Sequence, residues 1–311
     1  MNRRLEDILR KNEQRLERIA GGGSNPRFSA KSSIRTGSRR QWLLAEEPEE
    51  FFEPGVDYFQ PGGALLGQIY KYIFHSSHVQ TNPAWRETAG NTLSDLDPDD
   101  PEVNAYAEWN RKRDRPAIKI LGGAMAFSRL CGLAIESSDG RGMGGLCSAL
   151  AQILLEQQSR MTPEAARLYA VRTGLYDTLE NPVSEHRAGA VAAGVMAGII
   201  AHELGHVVYG HIHSTERYNG EISRSMERDA DSFAAAVISS SPWGDYPVAG
   251  MVVWNVALAW SQHLCGEAAT THPHAAERAL DLIRANESQA AQAGLDVETV
   301  MKALPGGESR P

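Results

Sequence analysis

Fourteen consecutive small or apolar residues, Ala188 to Ala201, lead directly into the segment His202–Glu203–Leu204–Gly205–His206. This run is shorter than the roughly 20 apolar residues that a membrane-spanning helix needs. The pattern therefore predicts a helix buried in a protein core, running from about Glu185 to His211. No transmembrane insertion is expected. The polar residues at the end of such a helix need a structural or functional reason to be there.

Two histidines four residues apart indicate a metal site. On an α-helix this spacing places His202 and His206 on one face, one turn apart, so both imidazoles can reach a single ion. Glu203 points to the side of that ion and can act as general base toward a water. Two neutral histidine nitrogens and one carboxylate from elsewhere in the chain would leave the fourth position of a zinc ion open. The alternative is that both histidines are ordinary core or surface residues of a helix.

A second predicted helix, from about Gly220 to Ser239, carries the candidate third ligand. Glu227 follows His206 by 21 residues, which is enough for a turn and an antiparallel return. Asp231 lies four residues beyond Glu227 and therefore on the same face. Its carboxylate can accept a hydrogen bond from the free ring nitrogen of a ligand histidine and so fix the orientation of the ring.

Further histidines follow the motif, but their spacing does not suit a third histidine ligand. The metzincin pattern requires glycine three residues and histidine six residues after His206. Those positions hold Tyr209 and Ile212. His211 and His213 are therefore expected to be exposed, or to contact the ligands rather than the ion.

Four short motifs in a fixed order resemble the HtpX and CAAX-prenyl-protease family of gluzincin metallopeptidases. They are Asn104–Ala105–Tyr106, HELGH at 202–206, ERDAD at 227–231 and HPHAAER at 272–278. The resemblance covers roughly residues 100–285. It implies a zincin-like core that hydrolyses peptide bonds. Many members of that family are embedded in membranes, whereas this sequence predicts a soluble relative acting on polypeptides.

The resemblance implies a role for each residue of the metal site. His202, His206 and Glu227 would hold one Zn²⁺ per chain, and Glu203 would activate the water. Asp231 would support the ligands from behind.

Three outer residues receive roles from the resemblance alone. His272 would donate to the oxyanion of the tetrahedral intermediate, and Asn104 would contact the backbone of a substrate strand. Arg278 would support the local structure through an ion pair. The residues themselves leave other interpretations open: a turn cap for Asn104, a helix N-cap for His272 and a solvated cation for Arg278.

The predicted fold class is α+β, predominantly α-helical, with a small sheet bordering the active-site helix. Short strands are predicted at 103–107 and 117–121, and the acidic segment 93–102 is predicted to be a solvated loop. That segment lacks the glycine and glutamate spacing of a calcium-binding EF-hand loop. Further helices are predicted at Ala64–Ser76, Cys147–Gln158, Pro163–Gly174, Pro247–Leu264 and from about Pro273 past Arg284.

The charge distribution divides the chain. Residues 1–40 carry a balance of +7, whereas the remainder sums to −15 within a net charge of −8. A folded acidic body is not expected to bind nucleic acid. The predicted organisation is an amphipathic basic helix at 1–20, a flexible linker or strap at 21–60, a zinc metallopeptidase domain at 61–290 and a C-terminal helix and tail at 291–311.

The partners and the compartment follow from the same features. The segment 1–40 is a candidate docking site for a protein partner or an anionic surface, although the pattern at 1–20 favours a solvated helix. Three cysteines without a CxxC pair indicate free thiols in a reducing compartment. The start of the sequence lacks the apolar core of a signal peptide, so the expected location is the cytoplasm.

The sequence therefore predicts a zinc metalloendopeptidase acting on proteins. A further hypothesis is that residues 41–95 keep it latent until a partner binds the basic arm. The alternative is a non-proteolytic regulatory protein whose zinc ion only stabilises the fold. A structural zinc site needs no base and normally has four protein ligands, so Glu203 favours the enzyme.

Overall fold

The structure of the chain is a computed structural model. It describes residue 59 and the ranges 63–137, 143–157, 159–214, 220–240, 246–266 and 273–307. The predicted helix at 1–20 and almost all of the predicted linker at 21–60 lie outside the described residues.

Helices dominate the described chain, and a three-stranded sheet accompanies them. The α-helices are α1 (Gly63–His75), α2 (Ser77–Gln80), α3 (Pro83–Asn91), α4 (Gly122–Ser137), α5 (Met143–Glu156), α6 (Pro163–Thr173), α7 (Pro182–Val208), α8 (Gly220–Ser239), α9 (Tyr246–Cys265), α10 (Ala275–Ala285), α11 (Glu287–Gln292) and α12 (Val297–Ala303). The strands are β1 (Leu93–Asp97), β2 (Ala105–Asn110) and β3 (Arg115–Leu121), and 3₁₀ turns cover Leu175–Glu180 and His211–His213. The predicted class, α+β and mainly helical, is confirmed.

The sheet has the order β1-β3-β2, with β1 parallel and β2 antiparallel to the central strand. Most residues of β3 are buried, because a strand with neighbours on both sides also packs against the helices. β2 is therefore an edge strand of the described sheet. In its antiparallel ladder with β3, alternate residues direct their backbone N–H and C=O groups outward.

The central helix is α7, which packs against α4, α8 and α9. Its small residues permit close approach. A Cβ atom placed on Gly194 would lie 2.6 Å from the Cα of Pro247 in α9, and one on Gly205 would lie 2.9 Å from the Cα of Ala230 in α8. Real Cβ atoms do not approach other atoms this closely, so only glycine allows the helix backbones to pack at these distances. The two glycines therefore set the spacing between the helices.

One described helix, Ser184–Val208, is long and apolar enough to cross a membrane by length and composition. However, 78% of its most apolar window is buried inside the protein. Because this segment is the central helix α7, its apolar surface is satisfied by protein packing.

The structure departs from the predictions for the first part of the acidic segment. Residues 93–97 form β1, whose Leu93 pairs with Ala117 of β3, so the prediction of a loop over all of 93–102 is wrong. Ser94 and Asp95 face solvent, which explains why polarity suggested a loop. The predicted strand 103–107 lies two residues too early, since β2 begins at Ala105.

The sequence analysis also missed helix α4. Its first thirteen residues, Gly122 to Ala134, are all buried, so the segment lacks the alternation between apolar and polar faces that marks an amphipathic helix.

A substitution at the contact between α7 and α8 tests the packing of α7. Gly205→Ala is expected to lower the free energy of unfolding by about 1–3 kcal/mol, because its Cβ would collide with the backbone of Ala230. Gly67→Ala is the matched control: Gly67 is exposed within α1 and nothing lies within 4 Å of its Cβ position. The control should be stabilised by about 0.5–1 kcal/mol. Chemical denaturation measures both, and equal stability of Gly205→Ala and wild type would contradict the packing argument.

Candidate metal centre

Two helices bring the predicted ligands together. His202 and His206 lie near the C-terminal end of α7, and Glu227 lies in α8, which packs beside it. His202 and Glu227 are buried, and His206 is half-buried. The contact between Gly205 and Ala230 holds the helices close enough for the three side chains to meet.

Each pair of these side chains places two donor atoms at a separation suited to a metal ion, and Glu227 directs a different oxygen at each histidine. The Nε2 atoms of His202 and His206 are 3.2 Å apart. The carboxylate of Glu227 places Oε2 3.3 Å from Nε2 of His202 and Oε1 3.4 Å from Nε2 of His206. A tetrahedral ion with bonds of about 2.0–2.1 Å holds its ligand atoms about 3.3 Å apart. This buried group could therefore bind one metal ion.

Asp231 lies behind His202. Its Oδ1 is 2.9 Å from Nδ1 of His202, the ring nitrogen that faces away from the donor cluster. Burial alone would lower the pKa of His202, but the carboxylates of Asp231 and Glu227 outweigh it and raise this pKa to about 10. The same carboxylates orient the ring with Nε2 toward Glu227 and His206.

Arg278 in α10 anchors Asp231. Its Nε donates to Oδ2 at 2.8 Å and its Nη2 donates to Oδ1 at 2.6 Å, which makes a bidentate ion pair. Burial opposes the charge on Asp231, yet Arg278 and then His202 outweigh this effect and lower the pKa of Asp231. Arg278 thus acts through Asp231 and is not a solvated cation.

Glu203 is buried on the side of α7 that faces the sheet. Burial raises its pKa, although His202 and His206 oppose that effect. A hydrogen bond from the backbone of Ala107 in β2 also reaches its carboxylate. The outer edge of β2 and the predicted general base are therefore adjacent.

His211 contacts one of the predicted ligands, which is one of the two placements expected for it from the sequence. Gly210 adopts a left-handed conformation with φ of 74° and ends α7, so the chain turns back. As a result Nδ1 of His211 lies 3.0 Å from Nδ1 of His206. Nε2 of His211 is 3.9 Å from Oδ2 of Asp229. Burial lowers the pKa of His211, which favours a neutral ring, and Nδ1 of a neutral His211 can accept a hydrogen bond from the Nδ1–H of His206.

The short spacing between the two histidines was the available signal for this contact. His211 follows His206 by five residues with a glycine immediately before it, and glycine at that position permits the left-handed turn. His213 differs, because it is exposed and lies against Trp109, with ring centroids 5.1 Å apart.

The outer predicted residues are placed differently. Asn104 is exposed just before β2, where its Oδ1 accepts from the Ala105 N–H and its Nδ2 donates to Glu102. This is the geometry of a cap at the start of the strand. His272 lies outside the described residues. The N-cap of α10 is His274, whose Nδ1 accepts from the Ala276 N–H.

A metal-affinity measurement tests the role of His211. His211→Ala is expected to weaken cobalt(II) binding about 10–100-fold, because the outward nitrogen of His206 loses its partner. His211→Asn, which can present an acceptor oxygen near the position of Nδ1, should recover most of the affinity. His213→Ala is the control and should bind as wild type does. Competition with a chromophoric chelator gives the constants, and equal affinities for His211→Ala and His213→Ala would refute the role.

Comparison with known proteins gives one match. The family model described as Peptidase U49 matches residues 149–296, just under half of the chain. The matched region contains α7 to α10 and therefore the three candidate ligands, Glu203 and Asp231. No curated protein and no solved structure matches the chain. Over the matched residues the chain is thus similar to a peptidase family, which supports a peptidase function without specifying the resemblance to the HtpX and CAAX-prenyl-protease family.

Proposed function

We propose that the chain is a zinc-dependent endopeptidase that hydrolyses peptide bonds of protein substrates. One Zn²⁺ would be held by His202, His206 and Glu227. The observation that carries this proposal is the convergence of two imidazole nitrogens and a carboxylate at separations of 3.2 to 3.4 Å. A fourth buried group, Glu203, lies beside them and is not needed as a ligand. The match to Peptidase U49 supports the reaction class.

The residues divide the chemistry between them. The bound ion would supply Lewis-acid polarisation of the scissile carbonyl and of the attacking water. Glu203 would take the proton from that water and later deliver it to the leaving amine. Its raised pKa suits this exchange, since a catalytic acid or base works best with a pKa near the operating pH. Asp231 and Arg278 would keep the ring of His202 fixed throughout.

The edge of β2 is the proposed binding site for the substrate backbone. Asn104 accepts a hydrogen bond from Leu121 of β3 through its carbonyl, so the alternation places the polar backbone groups of Ala105, Ala107 and Trp109 on the outer edge. An extended peptide can pair there as an added strand, and the Ala107 N–H would then donate to the peptide instead of to Glu203. Its scissile bond would then lie next to Glu203.

Two assignments from the family resemblance remain predictions. Asn104 would have to release Ala105 and Glu102 before its side chain could contact a substrate. His272 remains a candidate donor to the oxyanion, a role in which one donor is typically worth about 3 kcal/mol.

The rival function, a regulatory protein with a structural zinc ion, is less well supported. A structural site normally has four protein ligands, whereas the group found among the described residues offers three. A structural zinc site also does not require a buried carboxylate such as Glu203 beside it.

The cytoplasm remains the proposed compartment. Cys131 and Cys147 are buried free thiols, and burial raises the pKa of Cys147 to about 12, so it is unreactive. Cys265 is an exposed free thiol. Three cysteines present as free thiols are consistent with a reducing compartment.

Substitution of the proposed base gives the direct test. Glu203→Gln is expected to reduce the cleavage of an unfolded protein about 10²–10⁴-fold, because the amide cannot accept the proton of water. Its zinc content, measured by elemental analysis, should remain one ion per chain. Glu277→Gln, a change of an exposed carboxylate of α10, should cleave normally. Cleavage by Glu203→Gln at the wild-type rate would eliminate the base assignment.

A truncation tests the latency hypothesis for residues 41–95. The later part of this segment belongs to the core, since Ile69 and Ile73 of α1 are buried, so a removable inhibitor would have to lie earlier. Deletion of residues 1–57 retains buried Phe59. It is expected to raise the cleavage rate several-fold at unchanged zinc content. An unchanged rate would argue against latency.

A further inference from the structure

The two ends of β2 carry opposite charges. After its last residue, Asn110, the turn into β3 presents four exposed cations: Arg111, Lys112, Arg113 and Arg115. Asp114 is the one acid between them. Before its first residue, the loop 98–102 carries Asp99, Asp100 and Glu102. The chain as a whole has a net charge of −8, so a basic cluster here is a local feature.

The cations of this turn, which we name the basic tip, are not used by the fold. No ion pair joins any of the four to a carboxylate among the described residues, whereas Lys119 on the adjacent β3 pairs with Asp97 at 3.1 Å. The backbone of the turn is held instead by Asn110, whose Oδ1 accepts from the N–H groups of Lys112 and Arg113. The charged groups therefore project into solvent on a fixed hairpin.

The scissile bond would lie between the two charged ends. The backbone of Ala107 hydrogen-bonds to Glu203, and Ala107 lies two residues from Ala105 and three from Asn110, the ends of the strand. At about 3.4 Å per residue, these ends lie roughly 7 and 10 Å from this point. A substrate strand would therefore reach both charged regions within about four to six residues on either side of the bond.

The strand direction decides which end of the substrate meets which charge. Antiparallel pairing is the more stable arrangement per residue. A peptide paired in this way with β2 has its N-terminal part beside Asn110 and the basic tip. Its C-terminal part lies beside Asn104 and the acidic loop.

We propose that this polarity selects substrates with acidic residues about four to six positions before the scissile bond and basic residues at similar positions after it. The inference rests on the proposed function, because it takes Glu203 as the point of cleavage. The specificity-determining residues are Arg111, Lys112 and Arg113, with Glu102 contributing at the other end.

A binding experiment with two peptides of identical composition tests the proposal. Both are fluorescein-labelled 16-residue peptides with a neutral centre; one has an acidic N-terminal end and a basic C-terminal end, and the other has the reverse order. The zinc-loaded Glu203→Gln protein avoids cleavage during the measurement. Fluorescence anisotropy at low salt should show about tenfold tighter binding of the acid-first peptide, in line with a few exposed ion pairs. The difference should shrink as added salt screens the charges.

Charge reversal provides the matched comparison. We expect a triple variant of the zinc-loaded Glu203→Gln protein to lose or invert the preference for the acid-first peptide. Its three changes are Arg111→Glu, Lys112→Glu and Arg113→Glu. The control is a second triple variant that changes the net charge by the same amount on other helices: Lys71→Glu, Arg172→Glu and Lys302→Glu. This control should keep the preference for the acid-first peptide. The salt dependence of peptide binding, measured on the protein with its native basic tip, tests the same electrostatic claim. This measurement does not depend on whether the charge-reversed variant folds.

Each outcome bears on the proposal. Equal binding of the two peptides, tighter binding of the base-first peptide, or no binding of either overturns it. Discrimination between the peptides combined with no cleavage of either by the wild-type zinc protein would leave the charge preference standing and refute the proposed peptidase function.

Discussion

The close contact between α7 and α8 is the constraint on which the rest of the site depends. Gly205 lies against the backbone of Ala230 because neither helix carries a large side chain there. This spacing lets His202 and His206 on one helix meet Glu227 on the other, with donor atoms 3.2 to 3.4 Å apart. A wider separation would leave a carboxylate and two imidazoles buried without a common partner, which is costly in a protein interior.

The buried charged groups of the candidate metal site compensate one another through successive contacts. Arg278 neutralises Asp231, Asp231 contacts His202, and His202 faces Glu227. Each group in this series would be unfavourable to bury alone, and removing one partner of such a buried pair typically costs 3–5 kcal/mol. The arrangement explains why α10, which supplies no metal ligand, belongs to the site.

The sequence predicted the parts of the site that depend on local periodicity. Helical spacing pairs position 202 with 206 and position 227 with 231, whereas joining the two pairs required an antiparallel return of the second helix. Helices α7 and α8 occur close to their predicted ranges. The prediction failed where the local structure depends on pairing with residues distant in the sequence, or where a helix is buried on all sides. β1 became a strand through parallel pairing with β3, and α4 has no polar face to reveal its period. The approach of His211 to His206 required the left-handed turn at Gly210.

The dependence of Asp231 on Arg278 also has a consequence for biosynthesis. These residues are 47 positions apart, and α10 follows the ligand-bearing helices in the chain. While a ribosome is still producing the segment between them, the carboxylate behind His202 has no guanidinium to hold it. The nascent polypeptide therefore completes this charge-compensated group only after α10 has emerged.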